Sequence, residues 1–289
     1  MSRWGGDDPR GESSERLRDR PRERASSDRQ RDDILPIDRL TLPRGDAREP
    51  VEFHGREYSL NGAEVRALHT VGAFRVVSPE AIDDERLGQD VRHGGWRHLI
   101  DRGLLTHETV HDRDGSRQVV ALTRTGRDLL DAHQPTRSDG PRQEYYAGIA
   151  KPRELAHDSR IYDAFREEAD QLERTGARIT RVVLDYELKR GFQTFLNRDD
   201  RAEGTDRHAD RRDFAQSQDL PFHRGHVVFP DLRIEYEVDG RVEHRDIEVV
   251  TEHYSRGQLS GKAGFSCHGG GGAKRGGTPV DPRHARNLI

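Results

Sequence analysis

Two carboxylates and one lysine in the second half of the chain have the types and spacing to handle a phosphodiester. Leu232, Ile234, Tyr236 and Val238 alternate with Arg233, Glu235 and Glu237, the period of a half-buried strand. Asp239-Gly240 is a strong two-residue hairpin signal, and a return strand follows over residues 241–250. With those two residues as the loop, Val238 opposes Arg241, and counting back places Asp231 opposite Glu248. Opposed residues share a face with Cβ atoms about 4.5–5.5 Å apart, so the two carboxylates converge at the open end of the hairpin. That pair suits a Mg²⁺ or Mn²⁺ ion, a hard cation that takes carboxylate oxygens. The register also pairs Arg233 with Asp246 on the same face and Leu232 with Ile247 on the other, matches that a one-residue slip would lose. Lys262 lies roughly three turns along a following helix, and its ammonium can position a water or stabilise charge on a phosphate. The bland alternatives are a solvated strand pair for Asp231 and Glu248 and a solvated helix face for Lys262. Glu187 reads either as a third catalytic carboxylate at the end of a strand or as part of an exposed helix.

The elements that must hold these groups are a helix over residues 157–174, with Ile161, Phe165, Ala169 and Leu172 on one face, and a buried strand over 178–187. A charged stretch near 198–215 reads as an exposed insertion. Ahead of them, Asn61 and Glu64 form an N-cap and N3 pair before Val65, Leu68 and Val71 at helical spacing. Ser78-Pro79 opens a second helix to about Leu87. A third helix, over residues 89–102, carries Val91, Trp96, Leu99 and Ile100 on one side and Arg92, His93 and Arg97 on the other, and Gly103 ends it. Residues 104–110 and 117–122 form a hairpin, and a last helix starts at Thr125.

Helix, helix, helix, hairpin, helix is the order of a winged helix-turn-helix. Such a domain places its third helix, with Arg92, His93 and Arg97, in the major groove, while Arg113 and Arg117 of the hairpin touch the phosphate backbone. The runs Leu99-Ile100-Asp101-Arg102-Gly103-Leu104 and Leu122-Thr123-Arg124-Thr125-Gly126-Arg127 resemble the MarR-like winged-helix regulators. A dimerising winged helix is the other reading, because residues 51–135 hold 11 Arg against 14 Asp and Glu and lack a basic excess.

Pro230-Asp231, a hairpin, Glu248 on the return strand and then a lysine look like the PD-(D/E)xK nuclease core, whose usual order is helix, strand, hairpin, helix, strand. Residues 57–265 as a whole resemble the replication-relaxation family of plasmids and mobile elements, which joins a winged helix to a nuclease-like core. The resemblance is carried by Pro230-Asp231, Ile247-Glu248-Val249 and Lys262, with His157-Asp158 and Ile161-Tyr162 as further helix matches. It implies a role in plasmid replication or mobilisation, double-stranded DNA as partner, and plasmid proteins such as a relaxase or replication initiator as further partners. Two departures argue against an active nuclease. Val250 stands two residues after Glu248, where such nucleases carry lysine, and the sequence turns glycine-rich after Phe265 where another strand is due.

The expected fold class is therefore α+β: a disordered charged tail at 1–54, a winged helix-turn-helix at 55–135, a linker at 136–156, a PD-(D/E)xK nuclease-like domain at 157–266 and a glycine-rich disordered tail at 267–289. Composition agrees with such a division. Of 289 residues 35% are charged and 31% hydrophobic, mean hydropathy is -1.01, and residues 1–50 alone hold 12 Arg and 12 Asp or Glu. One cysteine, Cys267, excludes an intramolecular disulfide framework and a four-cysteine zinc site. No apolar run reaches a membrane-spanning length and no secretion signal is visible, so a soluble cytoplasmic chain is expected. The functional expectation is a DNA-binding accessory or regulatory protein with a degenerate nuclease-like domain, the alternative being a metal-dependent endonuclease. A homodimer is compatible with a winged helix but has no signal of its own.

Overall fold

The computed structural model describes residues 35–82, 95–112, 115–136, 142–149, 154–198, 206–250 and 261–269. Among them seven helices and four small sheets give a mixed α and β architecture, in line with the expected α+β class.

In the first half, α1 (Gly62–Phe74) begins with the anticipated capping box: Asn61 Oδ1 accepts from the Glu64 amide at 2.9 Å, and Glu64 Oε2 accepts from the Asn61 amide at 3.1 Å. Helices α2 (Pro79–Ile82) and α3 (Gly95–Asp101) follow; the expected continuation of the second helix and start of the third lie outside the described residues. Strands β3 (Leu105–Asp112) and β4 (Gly115–Leu122) form the anticipated hairpin, with more pairs than expected, and α4 (Arg124–Ala132) closes this half. Thr123 caps α4 by accepting the Gly126 amide at 3.0 Å, while its own hydroxyl donates to the Gly103 carbonyl at 2.7 Å. Gly126 is required by this close approach, since a Cβ there would lie 2.2 Å from the Leu104 carbonyl oxygen.

Residues 35–54 depart from the expectation of a disordered tail. Leu35, Ile37, Leu40 and Leu42 are buried, the Thr41 amide donates to the His133 carbonyl at 2.9 Å, and β1 (Glu49–Phe53) pairs with β2 (Arg56–Leu60). These four residues lie in no helix or strand. They are ordered by filling the core of other elements rather than by forming a face of their own.

In the second half, α5 (Leu155–Arg174) packs against a four-stranded sheet ordered β10-β9-β8-β5. Strand β5 (Arg178–Leu184) is antiparallel to β8 (Leu232–Val238), and β8 to β9 (Arg241–Val249). The β8–β9 register is the expected one, from Val238 opposite Arg241 to Leu232 opposite Ile247. Arg233 and Asp246 form a bidentate pair at 2.7 and 2.8 Å, both buried, and Arg233 also donates to the Gln218 carbonyl. β5 stops earlier than expected, and α6 (Asp185–Leu196) begins there. The stretch read as an exposed insertion near 198–215 holds most of α7 (Arg207–Ser217), which is followed by β6 (Phe222–His223) and β7 (His226–Val227), and this region buries Phe214, Ala215 and Leu220 in a small cluster. The sheet also continues past Phe265. β10 (Ser266–His268) runs parallel to β9, with Cys267 beside Glu248, so the strand due at this point exists in the first residues of the expected glycine-rich tail.

The two halves share one core. Phe74 of α1 meets Tyr162 and Phe165 of α5 with ring centroids 4.9 and 4.7 Å apart, contacts worth about 0.5–1.5 kcal/mol each beyond area burial. Residues 142–149, expected as linker, are bonded to both halves: the Tyr146 amide donates to Gly72, and the Gln143 side chain both donates to and accepts from the Val182 backbone. No helix among the described residues is long and apolar enough to cross a membrane.

Candidate functional site

Asp231 sits where β8 begins, and its backbone is pinned on both sides. Its amide donates to Ile247 at 3.0 Å and its carbonyl accepts from Asp185 at 3.2 Å. The preceding Pro230 has no amide to offer the ladder, which is why the strand can start here. The Asp231 side chain curls back so that Oδ2 accepts the Val249 amide at 2.9 Å. The same oxygen lies 3.3 Å from His157 Nε2 at the start of α5. Burial opposes ionisation of Asp231, but the His157 contact, the Val249 amide and the charge of Lys262 outweigh it and hold the carboxyl below its ordinary value.

Glu248, on β9, is fully buried, and the Lys262 ammonium donates to its Oε1. The structure therefore gathers three of the four expected catalytic side chains, Asp231, Glu248 and Lys262, at one end of the sheet. Glu187 belongs elsewhere. It lies in the first turn of α6 paired with Arg181, and burial pushes its carboxyl up against the opposing pull of Arg181 and Arg190. The strand that would have aimed it at Asp231 has already ended at Leu184.

Sequence reasoning missed three members of the site, His157, Asp158 and Arg75. His157 bridges two acids, with Nδ1 3.5 Å from Asp158 Oδ1 and Nε2 on Asp231; those two contacts raise its pKa to about 10 despite burial, so it is an imidazolium at neutral pH. Asp158 in turn accepts from Arg75 Nη1 at 2.9 Å, a buried pair across the two halves. Arg75 follows α1 at φ +68°, a conformation that non-glycine residues rarely adopt, and its guanidinium lies 4.2 Å from the centre of the Tyr186 ring. The only sequence signal was the His157-Asp158 dipeptide at a helix start.

This donor set does not fit a divalent cation. Asp231 already faces an imidazolium and Glu248 an ammonium, so a dication would have to enter beside two positive charges. Among the described residues no group of three or more His, Cys, Asp or Glu side chains is gathered to hold a metal. What the arrangement does chemically is neutralise its own carboxylates. The neighbouring Cys267 thiol is pushed up by burial and by the Glu248 charge, away from the reactive thiolate.

Of the expected DNA contacts, Arg97 is exposed on α3 with its guanidinium 5.5 Å from the Trp96 ring centre. Arg117 is half-buried on β4 and donates to Ser159 Oγ of α5 at 3.4 Å, so it faces the other half of the molecule rather than standing free on the hairpin. Arg92, His93 and Arg113 lie outside the described residues. Behind α3, the buried Glu64 accepts from Arg48 at 2.6 Å and contacts His98 Nδ1 at 2.7 Å, tying the helix to the start of α1. Comparison of the chain with protein-family models, curated proteins and solved structures finds no match.

Proposed function

We propose that this chain is a DNA-binding accessory or regulatory protein of a plasmid or mobile element, acting in replication or mobilisation. Its first half serves as a winged helix that contacts duplex DNA through α3, and its second half is a nuclease-like core that has lost metal-dependent cleavage. The observation that carries this reading is the internal neutralisation of Asp231 by His157 and of Glu248 by Lys262. In support, the first half runs helix, helix, helix, hairpin, helix, and the second runs helix α5, strand β5, hairpin β8–β9 and parallel strand β10. The link to plasmids, and to a relaxase or replication initiator as partner, rests on the resemblance of the motifs alone, and a homodimeric state rests only on the winged-helix reading.

The alternative reading, a Mg²⁺- or Mn²⁺-dependent DNA endonuclease, rests on the placement of Asp231, Glu248 and Lys262 at one sheet end and requires their present ion pairs to open. One assay separates the two: purified protein incubated with supercoiled plasmid in either metal, scored for both gel shift and cleavage. The expected outcome is a shift with at most trace nicking. Robust cleavage that disappears in Asp231→Ala and Glu248→Ala would overturn the accessory reading. A gel shift unchanged in Arg97→Ala would count against α3 as the recognition helix.

A further inference from the structure

The insertion between α6 and β8 carries a cationic surface of its own. Its inner side is apolar, with Phe214 and Ala215 packed among Phe192, Phe195 and Phe229. On the outer side His208 and Arg212, one turn apart on α7, both lean on Phe222 of β6: the His208 ring lies edge-on at 5.2 Å and the Arg212 guanidinium 5.8 Å from the ring centre. The β6–β7 hairpin turns through Arg224-Gly225, both at positive φ, which projects Arg224 outward. Arg212, Arg224, His208 and His226 are exposed. Of the acids nearby, Asp210 is buried against Arg198 and Asp206 caps α7, while Asp219 stays exposed 3.8 Å from His244. Asp213 adjoins Arg212 in sequence, but consecutive helix residues do not face each other.

This surface leads to the carboxylate end of the sheet. The His223 ring lies against Gly261, where a Cβ would stand 3.4 Å from it, and Gly261 immediately precedes Lys262. Phe222 already supports His208 and Arg212 and is half-buried, so the patch offers guanidinium groups rather than a free ring for base stacking. Guanidinium groups bind phosphate oxygens in a planar, bidentate way without reading sequence.

We propose that α7 and the β6–β7 hairpin form a second, sequence-independent contact for the DNA phosphate backbone, carried by Arg212 and Arg224, which runs the duplex past the Gly261-Lys262 turn. The inference rests on the DNA-binding reading above and adds a footprint separate from α3.

The test is the salt dependence of binding by the full chain to a random-sequence duplex, measured by fluorescence anisotropy. Each lost phosphate contact lowers the slope of log affinity against log salt by about 0.9. Arg212→Ala/Arg224→Ala should therefore reduce the slope by about 2, so that over a roughly fourfold rise in salt it loses about tenfold less affinity than the wild type. Arg212→Lys/Arg224→Lys should recover most of the slope, because the contact is chiefly electrostatic, and unchanged circular-dichroism melting of both variants shows that folding is intact. If the alanine pair keeps the wild-type slope while Arg97→Ala weakens binding, the second footprint is overturned and the DNA-binding reading stands. If the wild type binds no duplex at low salt, both fall.

Discussion

Two regions of the molecule, the carboxylate end of the sheet and α3, use their cations in opposite ways. At the carboxylate end of the sheet Arg233, Arg75, Lys262 and Arg245 are each paired with a carboxylate that is nearly or fully buried: Asp246, Asp158, Glu248 and Glu168. On α3 the guanidinium of Arg97 is exposed over an indole, and the buried acid behind it, Glu64, is held by Arg48 and His98. A formal net charge of -4 hides this division. Cations consumed by buried partners support the fold and contribute little external field, so the surface an anionic partner meets depends on where unconsumed arginines lie.

The comparison breaks most visibly if a consumed cation is removed. Arg233→Met leaves Asp246 buried without its bidentate partner and should cost about 3–5 kcal/mol in urea unfolding. Adding Asp246→Leu should recover most of that loss; no recovery would mean that Arg233 acts mainly through the Gln218 carbonyl. Gly126→Ala forces a Cβ against the Leu104 carbonyl and should cost about 1–3 kcal/mol through displacement of α4, read as a lower urea midpoint.

Two histidines sharpen the contrast with opposite pH signs. His69, fully buried in the first half beside Tyr145, has its pKa lowered to about 4 by desolvation, against the opposing charge of Asp38. The unfolded chain, with histidine near 6.5, binds more protons over that window, so stability should fall as pH drops from about 6.5 to 4, and His69→Gln should flatten the fall. For His157 the native state binds the extra proton. Its contribution is full below about 6.5 and is lost as pH rises through about 10, and His157→Gln should remove that alkaline loss. Melting temperatures across pH check both.

Smaller effects belong to helix ends and surfaces. Asn61→Ala removes the capping box of α1 and should cost about 1 kcal/mol in the same unfolding measurement. Gly191, inside α6 with open space around its would-be Cβ, should tolerate alanine and gain up to about 1 kcal/mol.

Much of the carboxylate site was legible because β-hairpins are local. Asp239-Gly240 sets the turn, alternation sets the faces, and together they place Arg233 against Asp246 and bring Asp231 and Glu248 to one end. Asn61 and Glu64 were legible for the same reason, since a capping box is closed within four residues. Glu187 was ambiguous because Val183-Leu184 and Tyr186-Leu188 suit a strand or a helix equally. The choice falls to α6, whose first residue Asp185 donates its amide to the Asp231 carbonyl.

What the sequence by itself determined is thus the local chemistry: the hairpin and its register, the caps, and the neighbourhood of Asp231 and Glu248; Lys262, expected on a helix that falls mostly outside the described residues, lies in a turn, and its contact with Glu248 is tertiary. Tertiary structure alone decided that residues 35–42 are core, that Ser266–His268 completes the sheet, and that His157, Asp158 and Arg75 run from α1 to Asp231. The reason is physical. A turn or cap is fixed by dihedrals and hydrogen bonds among neighbours, whereas the charge state of a carboxylate depends on which distant cation is packed against it and on how much water the packing leaves.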